Sequence, residues 1–241
     1  MANPTESVSI RRCYGPPIGY EMGLLMSLSI TVEGFGNGDP IPSRFAFCAG
    51  AGMGDNQNPL VRWSGVPEAA ASLVLICVDT DAPTVADDVN VEGRTVSADL
   101  PRADFYHWVL YDIDPNITEI AAGAASDAVT PKGKSADQTP VGVTGVNDYT
   151  SWFAGDPDME GRYHGYDGPC PPANDELVHH YHFKLLAIDA ASLRLEPGAT
   201  GVEVMERAQP CVLAEAGFEG TYTLNPALGS VSYTHLRAHE T

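Results

Sequence analysis

The sequence predicts a single domain built mainly of β-strands. Its 241 residues include 24 glycines and 19 prolines, and such a supply of turn residues favours many short strands over long helices. Two apolar runs, residues 73–78 and 183–188, have the length of a buried strand. With 44% hydrophobic residues, the chain can bury a substantial core. We therefore assign one domain to residues 1–229 and expect residues 230–241 to be a non-native or disordered tail.

The strands can be placed in chain order from the apolar pattern. Residues 1–22 show no clear period and are expected to form an arm or an added edge element. In residues 24–35, Leu28, Ile30 and Val32 alternate with polar residues, which predicts a half-buried strand. Further strands are predicted at residues 44–48, 60–63, 72–78, 105–113, 178–188 and 221–223.

One helix is predicted near the C-terminus, over residues 197–216, where apolar positions recur at spacings of three and four. Pro210 should kink or split this helix, and Gly217 is a stop signal after it. The acidic segment 84–101 is expected to be irregular. Residues 121–148 and 151–166 are expected to be long surface loops, which in a compact domain are usually functional or flexible.

The charge of the chain excludes some partners. Its 13 basic and 32 acidic residues give a formal charge of −19, which repels phosphate backbones and anionic bilayers, so nucleic acid is not expected as a partner. This field does not exclude a small anion in a pocket with local donors. No run reaches the ~20 apolar residues of a membrane span, and the N-terminus lacks a leader pattern. Five cysteines without a C-x-x-C motif indicate a reducing compartment, so we expect a cytoplasmic protein.

Histidines and carboxylates flank the most apolar strands. Asp79 and Asp81 follow the run 73–78, and His107 lies inside the predicted strand 105–113. Such groups are kept out of strand cores unless they are paired or used, so the pattern predicts a polar pocket at the ends of strands.

The run His179-His180-Tyr181-His182 gives a further expectation. In a strand, His179 and Tyr181 share one face while His180 and His182 share the other. If the face with His179 and Tyr181 is turned toward the pocket, His180 and His182 are expected to point away from it.

Four short motifs occur in order along the chain. They are Asp-Thr-Asp-Ala-Pro at 79–83, His-Trp-Val-Leu at 107–110, Gly-Pro-Cys-Pro-Pro at 168–172 and His-His-Tyr-His-Phe at 179–183, and the segments 60–67 and 212–216 fit the same pattern. With these motifs the chain resembles the phosphatidylethanolamine-binding protein family, which includes Raf kinase inhibitor protein, and specifically its bacterial and archaeal branch. The resemblance covers about residues 41–223.

The resemblance implies a fold and a site. The fold is a large, mostly antiparallel sheet packed on a smaller sheet, with a helix near the C-terminus. The site is a pocket for a small anion such as phosphate or a phosphorylated headgroup, with its ligand-binding residues at Asp79, Asp81, His107, Gly168, Pro169, His179 and Tyr181. Several microbial members are dimers, which suggests a homodimer, and a kinase-like or other signalling partner is implied at the pocket mouth.

Other functions are kept as alternatives. The His–Asp pair could serve a hydrolase as general base, with Cys170 near His179 as a nucleophile. The chain could also be an interaction protein with a vestigial pocket, or its polar residues could only fix strand order. No metal-binding spacing is present, and we expect a binding protein without metal or cofactor rather than an enzyme.

Overall fold

The computed structural model describes residues 27–138, 141–196 and 198–229. Its strands are β1 Ser29–Val32, β2 Cys48–Ala49, β3 Gly52–Met53, β4 Val61–Ser64, β5 Ser72–Pro83, β6 Arg102–Ile113, β7 Glu119–Ile120, β8 Val143–Thr144, β9 His179–Ile188 and β10 Val212–Tyr222. Its helices are α1 Tyr149–Trp152, α2 Gly201–Ala208 and α3 Pro226–Gly229, with 3₁₀ turns at Ser43–Phe45, Ala136–Gln138 and Gln209–Cys211. The predicted arm at 1–22 and the predicted tail at 230–241 lie outside the described residues.

The strands form one large and two small sheets, all antiparallel. The large sheet has the order β10-β9-β5-β6-β8, the second sheet has the order β1-β4-β7, and β2 and β3 form a hairpin. The predicted fold class, mainly β with a large antiparallel sheet, a smaller sheet and a helix near the C-terminus, is confirmed.

The large sheet is covered on both faces, which explains its continuous apolar runs. Residues of β5 with odd numbers, such as Leu73 and Leu75, pack with Val61 and Trp63 of the smaller sheet. Residues with even numbers, such as Val74, pack with α2 instead. The order of layers is therefore small sheet, large sheet and helix.

The C-terminal helix is shorter than predicted. A capping box between Thr200 and Glu203 begins α2, but the helix ends at Ala208 and Pro210 lies in the following 3₁₀ turn. Proline has no N–H to continue a helical ladder, so the chain is free to extend after it. From Val212 it pairs with β9 as β10, and the prediction of helix up to residue 216 is wrong.

Two other predictions need correction. Residues 44–48 form a 3₁₀ turn and the start of β2 rather than one strand. The strand that carries Asp79 does not end there but continues to Pro83, with a register shift between Asp79 and Ala82.

Candidate ligand site

Three neighbouring strands of the large sheet bring polar side chains together. Asp79 of β5 stands opposite Phe105 of β6 on one side and opposite Tyr181 of β9 on the other. His179 lies two residues from Tyr181 and therefore on the same face of β9. Asp79, His179 and Tyr181 are all buried. Sheet register thus joins residues that are about a hundred positions apart in the sequence.

A β-bulge brings His107 to the same place. The ladder between β5 and β6 passes from Tyr106 to Trp108 and leaves His107 without a residue opposite it. An extra residue of this kind re-aims the side chains of its strand. The His107 ring lies edge-on to the Tyr181 ring, with the centroids 5.1 Å apart.

These four side chains form the floor of a cavity of about 240 Å³. The walls are mostly apolar and include Phe47, Phe105, Tyr149, Trp152, Phe153 and Pro172. Within the described part of the chain, no lysine or arginine side chain contributes to the lining. A few polar groups at the bottom of an apolar cleft are typical of a small-molecule site.

His179 is held between two carboxylates. Its Nδ1 lies 2.7 Å from Oδ2 of Asp79, and its Nε2 lies 3.1 Å from Oδ2 of Asp175. Burial alone would lower the pKa of His179, but the hydrogen bonds and charges of Asp79 and Asp175 outweigh burial and raise it. Both nitrogens of the resulting imidazolium donate to protein oxygens, so His179 orients Asp79 and has no N–H left for a ligand.

Asp175 is itself part of a longer chain of ion pairs. Arg102 donates to both of its oxygens, over 2.6 and 3.0 Å, and the backbone N–H of Leu177 donates to Oδ1. These bonds offset the effect of burial and lower the pKa of Asp175. Charges therefore alternate from Arg102 through Asp175 and His179 to Asp79, which lets the cavity floor keep a carboxylate away from water.

A second buried network fixes His107. Its Nδ1 lies 2.7 Å from the carbonyl oxygen of Asp167, so Nδ1 carries the proton and Nε2 is the nitrogen left for a ligand. The side chain of Asp167 accepts from Lys134 at 2.5 Å, from Asn56 at 2.7 Å and from Asn147 at 2.9 Å. Burial lowers the pKa of His107, although the charge of Asp79 partly opposes this effect. His107 is therefore neutral near pH 7.

The hydroxyl of Tyr181 is the next polar group of the cavity floor. It is buried, and among the described residues it makes no hydrogen bond of normal geometry. Burial, and then the nearby charge of Asp79, raise its pKa well above the usual range, so it stays protonated. The Asp79 carboxylate is the nearby acceptor that also acts on this hydroxyl through a hydrogen bond.

The structure places three of the predicted site residues away from the cavity. The carboxylate of Asp81 accepts from the backbone N–H and from Nδ1 of His180, both at 2.8 Å, on the outer side of β9. Gly168 donates its N–H to Asn56, and a Cβ on Gly168 would lie 1.9 Å from the carbonyl oxygen of Phe45. This close approach explains the glycine, which packs the loop against the rest of the domain.

The oxygen of Pro169 accepts from the N–H groups of Phe47 and Cys48, so Pro169 also holds the loop in place. His180 and His182 lie outside the cavity, while Asp79, His107, His179 and Tyr181 line it.

A disulfide joins Cys170 to Cys48 across the mouth of the cavity. This bond was not predicted from the sequence, because the odd number of cysteines favoured reduced thiols. The thiol-hydrolase hypothesis loses its nucleophile, since the Cys170 sulfur is bonded. Disulfides are typical of oxidising compartments, so the cysteine count no longer supports a cytoplasmic location, which stays a prediction.

Sequence reasoning missed several residues that shape the site. Asp175, Arg102 and Asp167 complete the buried networks, and Phe105 and Trp152 build the wall. None of them belongs to a short motif. The sequence offered one weak indication of Arg102. The chain has only 13 basic residues, so a basic residue at the start of a strand is a candidate partner for a buried carboxylate.

The described residues contain no group of three or more His, Cys, Asp or Glu side chains placed to hold a metal ion. They also contain no helix of the length and apolarity that crossing a membrane requires.

Comparisons with known proteins agree on one family. The family model described as phosphatidylethanolamine-binding protein matches residues 31–223. A UPF0098 protein of Methanothermobacter thermautotrophicus is 32% identical over 195 residues, which is 81% of this chain and 98% of that protein.

Solved structures show the same fold. Escherichia coli YbcL, described as a new member of the mammalian PEBP family, matches with a TM-score of 0.61 at 23% identity and covers 82% of this chain and 99% of its own. A PEBP homologue of Chlamydia trachomatis matches with a TM-score of 0.55 at 28% identity and covers 81% of this chain and 97% of its own.

Proposed function

Because the chain belongs to the phosphatidylethanolamine-binding protein family, we propose that it is a binding module for a small oxyanion, such as phosphate or a phosphorylated headgroup. The oxyanion would rest on the floor formed by Asp79, His107 and Tyr181. Two observations favour a binding protein over an enzyme. His179 and His107 are held in place by hydrogen bonds to protein oxygens. The Cys170 sulfur, which a thiol enzyme would need as its nucleophile, is bonded to Cys48.

The observation that carries this proposal is the pair of polar groups, the Tyr181 hydroxyl and the His107 ring, at the bottom of an apolar cavity. Among the described residues the Tyr181 hydroxyl makes no hydrogen bond of normal geometry, although Asp79 lies close to it, and an oxygen of the ligand would supply a better-placed acceptor. His107 Nε2 faces the same space, and on protonation it would add a charge-assisted hydrogen bond. A phosphate offers several acceptor oxygens that could meet both groups.

Binding of an anion should require a proton. His107 is surrounded by Asp79, Asp167, Phe105, Tyr149 and Tyr181. The negative charges of Asp79 and Asp167 both act on its ring, and Asp167 is itself paired with Lys134. The cation at His179 is already paired with Asp79 and Asp175, so the charge of His107 decides: a neutral imidazole gives an anion no charge-assisted hydrogen bond, whereas an imidazolium gives one. The bound anion therefore raises the pKa of His107, and affinity should rise as the pH falls from the pKa of the bound state toward that of the free protein.

Titration calorimetry with sulfate tests this proposal. Sulfate is used beside phosphate because its own charge is constant between pH 5 and 8, so any pH dependence belongs to the protein. We expect the affinity for sulfate to rise by up to about tenfold for each pH unit below 8, as uptake of one proton requires. Phosphoethanolamine, titrated in the same series, reports whether a headgroup is accepted.

The same titrations are repeated with two variants. His107→Ala should abolish binding, whereas His182→Ala, which changes a histidine outside the cavity, should bind like the wild type. Absence of binding to a folded wild-type protein at pH 5, or affinity independent of pH with His107→Ala unchanged, would contradict the proposal.

A regulatory role toward a kinase or another signalling partner is a further part of the proposal. Support comes from the segment 84–101 beside the cavity, where Val85 and Val91 expose apolar side chains to solvent. Exposed apolar side chains next to a binding site often contact a partner. Introduction of negative charge at these positions, Val85→Glu with Val91→Glu, should abolish such a contact and leave sulfate binding unchanged.

A further inference from the structure

The cavity has more room than a free oxyanion needs. Its volume is about 240 Å³. A cavity of about 150 Å³ in another protein holds a benzene molecule. The floor at His107 and Tyr181 can engage a phosphoryl group only at one end, so the space above it is left for a second part of the ligand.

Aromatic rings surround that space. Phe105 stands nearly perpendicular to Tyr149, at 79° and 5.2 Å between centroids, and nearly perpendicular to Trp152, at 76° and 6.5 Å. Tyr149 stacks on Phe47 at 4.5 Å. Perpendicular and offset rings are the arrangements that aromatic groups prefer, and another ring can extend such a cluster.

The mouth also leaves an aromatic side chain uncovered. Trp152 is 47% exposed although it lines the cavity, and Met53 beside it is 61% exposed. Trp152 lies on α1, at the start of the segment 151–166 that is predicted to be a long surface loop. A planar group in the cavity would cover the indole ring and remove this apolar surface from water.

From these observations we propose that the ligand is an aryl phosphate or a related aryl oxyanion. Its charged end rests on the floor, and its aromatic ring lies against Phe105, Tyr149 and Trp152. The inference rests on the proposed function and adds the chemical class of the ligand. Trp152 is then a specificity-determining residue, since it contacts the ring and not the oxyanion.

Four phosphates separate this inference from its alternatives. Inorganic phosphate, phenyl phosphate, n-butyl phosphate and phosphocholine are titrated into the wild type at pH 6. We expect phenyl phosphate to bind at least tenfold tighter than inorganic phosphate and about three- to tenfold tighter than n-butyl phosphate. Equal affinity for the phenyl and butyl esters would overturn the aromatic part, and a preference for phosphocholine would show a cage for cations instead.

Two variants test whether Trp152 is the residue that contacts the phenyl ring. Trp152→Ala should lower the affinity for phenyl phosphate about three- to tenfold and leave the affinity for inorganic phosphate unchanged. Leu213→Ala, which shortens an exposed apolar side chain on β10, is the matched control and should change neither. Trp152→Ala without effect on phenyl phosphate would overturn the inference.

The two proposals fail in different ways. If inorganic phosphate binds but the phenyl group adds no affinity, the aryl inference is wrong and the oxyanion site stands. If none of the four phosphates binds to the folded protein, the oxyanion site itself is wrong.

Discussion

His179 is the residue on which the charge balance of the site depends. An imidazolium between Asp79 and Asp175 separates two carboxylates that would otherwise repel each other in a buried place. The resemblance to the family indicated His179 as a ligand-binding residue. In the structure both of its nitrogens contact protein oxygens, so His179 orients Asp79, whose Oδ1 also accepts from the backbone N–H of Asp81.

We predict that His179 makes the stability of the protein depend on pH. The folded-state pKa of His179 is raised, so its stabilising contribution is full below the unfolded value of about 6.5 and is lost as the pH rises through the folded value. The free energy of unfolding of the wild type relative to His179→Gln should therefore fall between pH 6 and pH 9. Urea denaturation at the two pH values measures it.

A second histidine on the same strand provides the control. His182 is partly exposed and lies 3.4 Å from Glu219, an ion pair of the kind that contributes little. His182→Gln should leave the pH profile of stability unchanged. A difference between wild type and His179→Gln that is constant from pH 6 to pH 9 would show that His179 is not an imidazolium in the folded state.

At the scale of elements, helix α2 packs tightly against the large sheet. Its first residue, Gly201, lies against the ring of Tyr106 on β6, and a Cβ there would lie 2.2 Å from that ring. We predict that Gly201→Ala lowers the free energy of unfolding by about 1–3 kcal/mol, because overpacking must push the ring or the helix aside. Thermal and urea denaturation measure the loss.

The matched glycine lies in β10. A Cβ at Gly217 would have open space around it, and alanine suits a strand at least as well as glycine. Gly217→Ala should leave stability unchanged or raise it slightly. An equal loss for Gly201→Ala and Gly217→Ala would mean that the contact with Tyr106 does not limit the packing of α2.

The elements also show what the sequence can predict. The apolar parts of β5, β6 and β9 were predicted correctly because they are buried on both faces by the two layers around them, whereas the extension of β5 to Pro83 and the start of β6 at Arg102 were not predicted. The segment 212–216 was predicted as helix because its apolar spacing continues that of α2, and only the pairing of β10 with β9 decides otherwise. Such tertiary pairing cannot be deduced from local periodicity.

The candidate site was also predictable only in part. Asp79, His107, His179 and Tyr181 could be selected from short motifs, and alternation along β9 separated His179 and Tyr181 from His180. The bulge at His107 could not be predicted, because it is a property of the register between β5 and β6. Arg102 and Asp175 meet only in the folded chain, so their ion pair has no local signal.

At the level of the whole molecule, the disulfide between Cys48 and Cys170 ties the hairpin β2–β3 to the loop that walls the cavity. It spans 122 residues and therefore constrains about half of the unfolded chain. The chain-entropy account gives roughly 4–5 kcal/mol for a loop of this length, and measured values for disulfides are typically about 2–4 kcal/mol.

We predict that replacing both cysteines, Cys48→Ser with Cys170→Ser, lowers the free energy of unfolding by about 2–5 kcal/mol and lowers Tm by roughly 5–15 °C. The backbone bonds from Phe47 and Cys48 to Pro169 should still hold the wall, so sulfate binding should persist in the folded variant. Addition of a reductant should destabilise the wild type and leave the double variant unchanged. Equal stability of the two proteins under oxidising conditions would show that the bond does not form in solution, and it would restore the argument for a reducing compartment.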